Sequence, residues 1–291
     1  MNIKKHIPNL FTLGNLLCGT LATFYAVVGR FEWVVYLVLL GIVLDFFDGF
    51  LARILGVQGE LGKQLDSLAD MVTSGVVPGI VMFSTFKMVM MEAYENMDLF
   101  SYYLMSDVVG KSEFSPENSF LLYLPYLGFL LTLAACYRLG KFNIDTRQTD
   151  SFIGMPTPAM TLFVVCLPLI FMSMPKDISA FDQIDASNID WYGNILILYA
   201  KLFYPLRNIY FLILVTLGLS YLMNSNLRLL ALKFKSFGFK ENLMRYILIG
   251  ISILLLAAFR LGGIPLIIFI YILLSVLDND LTKKKQKEAI D

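Results

Sequence analysis

Charge is what this sequence has least of. Of its 291 residues only 16% are Asp, Glu, Lys or Arg, whereas 57% are hydrophobic. A water-soluble domain of this length carries more charge, so the composition excludes that class and points to several membrane spans. Histidine is almost missing: His6, just before the first apolar run, is the only one, and it reads as a bystander at the membrane surface. The three cysteines, Cys18, Cys136 and Cys166, lie singly inside apolar runs. Without metal-type spacing they form neither a zinc site nor a disulfide framework, and they read as small core residues. Internal repeats and low-complexity tracts are also lacking, so residues 1–291 read as a single membrane domain. The formal net charge is zero. Nothing in that balance calls for a nucleic-acid partner.

Long apolar runs are what the sequence has instead. A span needs about 20 apolar residues. The candidates are 8–29, 32–54, 66–88, 119–139, 157–174, 204–224, 243–260 and 263–279, which predicts an all-α polytopic protein of about eight transmembrane helices. The first run follows two lysines, as a signal peptide does, but it is long enough to span and reads as a retained helix. The segment "WYGNILILYAKLFYP" predicts an interfacial helix before span six, with Trp191, Tyr192, Tyr199 and Tyr204 as belt aromatics. With both ends cytoplasmic, 16 of the 23 Lys and Arg residues fall on the inner side. The positive-inside rule favours that orientation, which puts residues 45–70 at the cytoplasmic face. The tail "LTKKKQKEAID" reads as a basic end near anionic lipid.

Against this background "DFFDGFLARILGVQGELGKQLDSLAD", residues 45–70, needs a reason for its four aspartates. A carboxylate in mid-bilayer costs roughly 2.5–3.5 kcal/mol even on a lenient scale. Asp45 and Asp48 are three residues apart, with Gly49 and Ala52 on the same helix face, and Gly62, Asp66 and Asp70 recur every four residues. A short link makes the two helices antiparallel neighbours, so the stripes can face each other. Four carboxylates there repel one another unless cations neutralise them. Oxygen ligands without histidine or thiolate favour Mg²⁺ or Mn²⁺, which in turn serve phosphate chemistry. Gly49 and Ala52 leave room for a bulky ligand, and Arg53 offers a fork for phosphate. The residues alone thus predict a metal-bound, phosphate-handling site. A divalent-cation transporter is the alternative from another class, but it would show broken helices near the midplane and paired halves, and here the carboxylates cluster toward one face.

The pattern D-x2-D-G-x2-A-R-x8-G-x3-D-x3-D is met at every fixed position by Asp45, Asp48, Gly49, Ala52, Arg53, Gly62, Asp66 and Asp70. It resembles the signature of the CDP-alcohol phosphotransferases, membrane enzymes of phospholipid synthesis. The resemblance implies that Asp45, Asp48 and Asp66 hold a pair of divalent metal ions, with Asp70 as general base and further ligand. It also implies a nucleotide pocket lined by Gly49, Ala52, Arg53 and Gly62, a homodimer, and a core over about 1–225 with extra C-terminal spans over about 243–279. Thr12 and Asn15, one helical turn apart, are candidates to face the nucleotide.

The motif leaves the acceptor alcohol open. "IPNLFTLGNLLCG", "YRLGKFNI" and "FIGMPTPAM" look like the phosphatidylserine synthases of this family, which implies CDP-diacylglycerol and L-serine as substrates. Other acceptors, such as glycerol 3-phosphate, an inositol phosphate or choline, are the alternatives. Serine is zwitterionic, so its pocket needs a cation and an acceptor. Arg138 and Lys141 are candidates for its carboxylate, and Asn143 and Asp145 for its amine. The implied location is the cell (inner) membrane, with the site facing the cytoplasm.

Overall fold

Apolar runs broken by Gly and Pro dictate helices that stop at their breakers, and the computed structural model has that form. It describes residues 6–93, 121–144, 152–174, 191–230, 238 and 242–288. Helix α1 (His6–Val27) turns at Gly29, φ 74°, into α2 (Phe31–Ile54). A second glycine with positive φ, Gly56, follows α2 and leads to α3 (Glu60–Met71). A π-helical turn (Val72–Val76) joins α3 to α4 (Val77–Ala93). Helix three therefore begins six residues before the expected span at 66 and sets Asp66 and Asp70 inside the helix rather than at its start.

A 3₁₀ segment (Leu121–Gly128) containing Pro125 runs into α5 (Phe129–Ile144). Then come strand β1 (Phe152–Ile153), α6 (Thr157–Ser173), α7 (Trp191–Phe203) and α8 (Ile209–Asn224). Pro205 lies in the 3₁₀ turn between α7 and α8, and Asn208 restarts the helix by accepting a hydrogen bond from Tyr210 N at 2.9 Å. The two helical arms meet at 87°. Strand β2 (Arg228–Leu229) pairs antiparallel with β1, Phe152 opposite Leu229. Helices α9 (Leu243–Phe259) and α10 (Ile264–Glu288) complete the described fold, joined by a turn in which Arg260 adopts φ 51°. Helix α10 returns to β2: Leu230 N donates to Ser275 Oγ at 3.0 Å, and Asn279 Nδ2 donates to Arg228 O at 2.6 Å.

Four described segments are long and apolar enough to cross a membrane: His6–Val27, Phe31–Ile54, Glu60–Glu92 and Leu243–Asn279. The bent pair α7–α8 makes a fifth if taken as one span, and α6 is apolar but shorter. Length and composition thus give a multi-pass helical membrane protein with four or five such segments, where the sequence counts eight. Helix α6 is the hub. Met160, Val164, Val165, Cys166 and Leu167 are fully buried, and α2, α4 and α10 pack around it. Large apolar side chains such as Phe46, Leu133 and Tyr210 point outward instead, as they do against lipid. Cys136 corrects the sequence reading: unlike Cys18 and Cys166 it is exposed, sharing an outward face of α5 with Leu133 and Tyr137.

The 3₁₀ segment reaches α4 through Gly128. A Cβ added there would lie 2.5 Å from Phe83 N and 3.0 Å from Gly79 O, both backbone atoms that cannot swing aside. Gly128→Ala should therefore lower stability in detergent by roughly 1–3 kcal/mol, the usual cost of overpacking, read as a lower melting temperature. Gly140→Ala, with nothing within 4 Å, is the control and should melt as the parent does.

Candidate active site

One helix brings the carboxylates together. α1 packs along α2 and also against α3, so it backs both helices that carry the aspartates. Spacings of three and four residues place each pair on one helix face. Oxygen atoms of Asp45, Asp48 and Asp66 lie within 4.8 Å of one another, Asp48 buried and the other two half-buried. At an effective dielectric constant of about 20, two unit charges at that distance repel by roughly 3 kcal/mol. Three such pairs would consume much of the roughly 5–15 kcal/mol that holds a domain folded. Among the described residues no lysine or arginine forms an ion pair with any of the three. The donor set of oxygens alone, convergent and uncompensated, fits a hard divalent cation.

Asp70 stands outside that triple. Its Oδ1 accepts a hydrogen bond from Asn15 Nδ2 at 3.3 Å, and the charges of Asp66, on its own helix, and Arg138, on α5, act on it. Thr12 Oγ1 donates to Asp48 Oδ2 at 2.5 Å. Thr12 and Asn15 are only 3% and 1% exposed. Their polar groups are therefore spent on the carboxylates, not presented to a nucleotide as their helical spacing alone suggests. Asn15 is itself fixed, since its Oδ1 accepts from Thr73 Oγ1 at 2.9 Å. Gly41 makes the packing possible: a Cβ there would come within 2.9 Å of Asn15 Oδ1.

Toward the end of α2, Gly49 and Ala52 are partly exposed and Arg53 is exposed, its Nε donating to Gly49 O at 2.9 Å. Gly62 faces α1, where an added Cβ would sit 3.5 Å from Asn9 Oδ1. On α5, Arg138 is buried and its Nε has no hydrogen-bond partner. Lys141, one turn later, is half-buried. Asn143 departs from its expected role: its amide exchanges hydrogen bonds with Ser67 Oγ at 2.9 and 3.1 Å, and its carbonyl accepts from Lys63. It staples α5 to α3. Asp145 falls outside the described residues, and His6 is exposed.

The π-turn next to Asp70 was not read from the sequence. Pro78 has no N–H to give the carbonyl of Ser74, and Thr161 Oγ1 donates to it at 3.2 Å instead. Thr132 Oγ1 serves Gly75 O at 2.9 Å. A proline three residues after a glycine inside an expected span was the available signal. Such turns recur at functional sites because they re-aim the side chains beside them.

Because Thr12 orients a carboxylate from behind, Thr12→Val should keep the shape and weaken divalent-cation binding by about 10- to 100-fold, the usual effect of an outer-shell partner. Titration of purified protein with Mn²⁺ checks this, and an unchanged affinity would separate Thr12 from the ligand set.

Comparison with known proteins fits this geometry. The family described as CDP-alcohol phosphatidyltransferase matches residues 5–203. A CDP-diacylglycerol–serine O-phosphatidyltransferase of Bacillus subtilis is 32% identical over 171 residues, 57% of this chain and 77% of the relative. A Helicobacter pylori protein of the same name is 29% identical over 165 residues, where the chain spans 57% of the relative's length. An archaetidylserine synthase of Methanothermobacter thermautotrophicus is 24% identical over 210 residues, 66% of this chain and 76% of that one. With the matched region holding the whole carboxylate cluster and its backing helix, the chain belongs to the CDP-alcohol phosphatidyltransferase family.

Proposed function

We propose that this protein transfers the phosphatidyl group from CDP-diacylglycerol to L-serine, giving phosphatidylserine and CMP. The observation that carries the reading is the convergence of Asp45, Asp48 and Asp66, with Asp70 and the buried Arg138 near them. The printed names of the relatives support serine as acceptor. Asp45, Asp48 and Asp66 would hold divalent ions, Mg²⁺ or Mn²⁺ and two in number, with Asp70 as a further ligand. When bound, such ions neutralise charge on the pyrophosphate and on the departing CMP.

The chain's own groups do the rest. Asp70, steadied by Asn15, takes the proton of the serine hydroxyl as that oxygen attacks phosphorus. The new O–P bond forms as the bond to the CMP oxygen breaks, in one displacement without a covalent enzyme intermediate. Gly49, Ala52, Arg53 and Gly62 border the nucleotide, and Arg138 with Lys141 holds the serine carboxylate. The enzyme sits in the cell (inner) membrane with its site toward the cytoplasm, a reading supported by Arg53, Lys63, Arg138 and Lys141, all at the site's end of their helices. It works as a homodimer.

The deciding experiment is an acceptor screen: purified protein, CDP-diacylglycerol, Mg²⁺ or Mn²⁺, and serine, glycerol 3-phosphate, an inositol phosphate or choline in turn, reading CMP. Serine should give the fastest release, and preference for any other alcohol would overturn the reading. Asp45→Asn, Asp48→Asn and Asp66→Asn should each leave the fold intact and abolish serine-dependent release, because a neutral amide cannot hold the cation. Asp70→Asn should also stop transfer, but leave CDP-diacylglycerol binding in place. Near-normal turnover in any of the four at saturating metal would remove that residue from its role.

Orientation has its own test. With the native cysteines replaced, Gly59→Cys should react with a membrane-impermeant thiol reagent only after the cytoplasmic face is opened, and Arg30→Cys should react from outside. The reverse pattern would invert the topology.

A further inference from the structure

Thr73 sits in the π-turn, three residues after Asp70, and is buried. Buried threonines in helices commonly return the hydroxyl to the carbonyl four residues back. Thr85 on α4 and Thr216 on α8 do so, donating to Val81 O and Leu212 O at 2.8 Å. Thr73 instead reaches across to α1, where its Oγ1 donates to Asn15 Oδ1 at 2.9 Å and lies 3.2 Å from Asn15 O. The turn accounts for that aim. Val77 N bonds to Val72 O, five residues back, so the turn holds one residue more than an α-helical one and re-aims what it carries.

Two glycines on two helices make room for the pair. A Cβ at Gly19 of α1 would collide with Thr73 Oγ1 and lie 3.0 Å from Thr73 N and Cα, backbone atoms that cannot give way. One at Gly41 of α2 would lie 2.9 Å from Asn15 Oδ1 and 3.1 Å from Thr73 Cγ2. The bond also fixes which way the amide faces. An ionised carboxylate only accepts, so Asn15 must turn its nitrogen to Asp70 and its oxygen elsewhere. Thr73 is the donor that meets that oxygen. Asn15 is buried, so bulk water does not reach it to replace the hydroxyl.

We infer that Thr73 is a positioning residue for the proton acceptor: through Asn15 it holds the Asp70 carboxylate in line for the acceptor hydroxyl. The inference rests on the proposed role of Asp70 as general base. Removing the Thr73 hydroxyl leaves Asn15 Oδ1 without its donor and frees the amide to swing, and the carboxylate it holds moves with it. A misplacement of about 1 Å at a reacting group costs up to about 100-fold in rate. The loss belongs in kcat, because ground-state binding of either substrate does not depend on the line of proton transfer.

The test compares variants of Thr73 with a control. Thr73→Val keeps the branched shape and deletes the hydroxyl. Its kcat with serine should fall by about 10- to 100-fold, with both KM values and direct binding of CDP-diacylglycerol unmoved. Thr73→Ser keeps the hydroxyl and should restore kcat to near the parent value. Thr85→Val, which removes a buried hydroxyl bonded within its own helix, should keep the parental kcat even if it melts lower. In an Asn15→Ala background, adding Thr73→Val should cost nothing further, since the two act as one unit. Losses that multiply would overturn the inference, as would a parental kcat in Thr73→Val, a change confined to KM or lipid binding, or no recovery in Thr73→Ser. Should Thr73→Val not accumulate, Thr73→Ala takes its place with the same outcomes. Should Asn15→Ala not accumulate, the comparison of valine with serine at position 73 decides. Full turnover in Asp70→Asn would instead sink the proposed base itself, whatever the Thr73 variants do.

Discussion

The repulsion among three carboxylates held within 4.8 Å of one another is the constraint to which the rest of the structure answers. Among the described residues no lysine or arginine forms an ion pair with Asp45, Asp48 or Asp66 to offset it. The fold instead spends a whole helix on keeping them in place. α1 backs α2 and α3, and contributes Thr12 and Asn15 as buried donors that fix Asp48 and Asp70. Such an uncompensated set of oxygens suits a hard divalent cation, whose binding would also relieve the repulsion.

The same economy governs the polar atoms deeper in the bundle. In lipid a backbone carbonyl without a partner is expensive, and Pro78 leaves one on Ser74. Thr161 from the hub helix answers it, and Thr132 donates to the neighbouring carbonyl of Gly75. The π-turn is therefore locked by two other helices, α5 and α6, and it fixes Thr73, which fixes Asn15, which meets Asp70. A chain of hydrogen bonds runs from the centre of the bundle to the site. Such bonds stop short at Arg138 Nε and Asn224 Oδ1, whose residues line one small cavity together with Ile153 of β1. The hairpin of α9 and α10, outside the matched family region, reaches this area through Ser275 and Asn279 on the β2 strand.

Much of this was legible in the sequence. Scarce charge fixed the class as a multi-pass helical membrane protein, because only helices or closed barrels satisfy backbone groups in lipid. Helical spacing fixed the faces of Asp45, Asp48, Asp66 and Asp70, since 3.6 residues per turn leaves no freedom over three or four positions. The absence of histidine and thiol beside these carboxylates restricted the donor set to oxygen, which suits a hard cation. Only the tertiary structure decided that Thr12 and Asn15 turn toward the carboxylates, that Asn143 bonds to Ser67, that Cys136 faces outward, and that Asn224 shares a cavity with Arg138. Periodicity states which residues of one helix share a face, but the face a helix buries depends on neighbours distant in sequence. Arg138 and Asn224 are 86 positions apart, and no local pattern could have joined them.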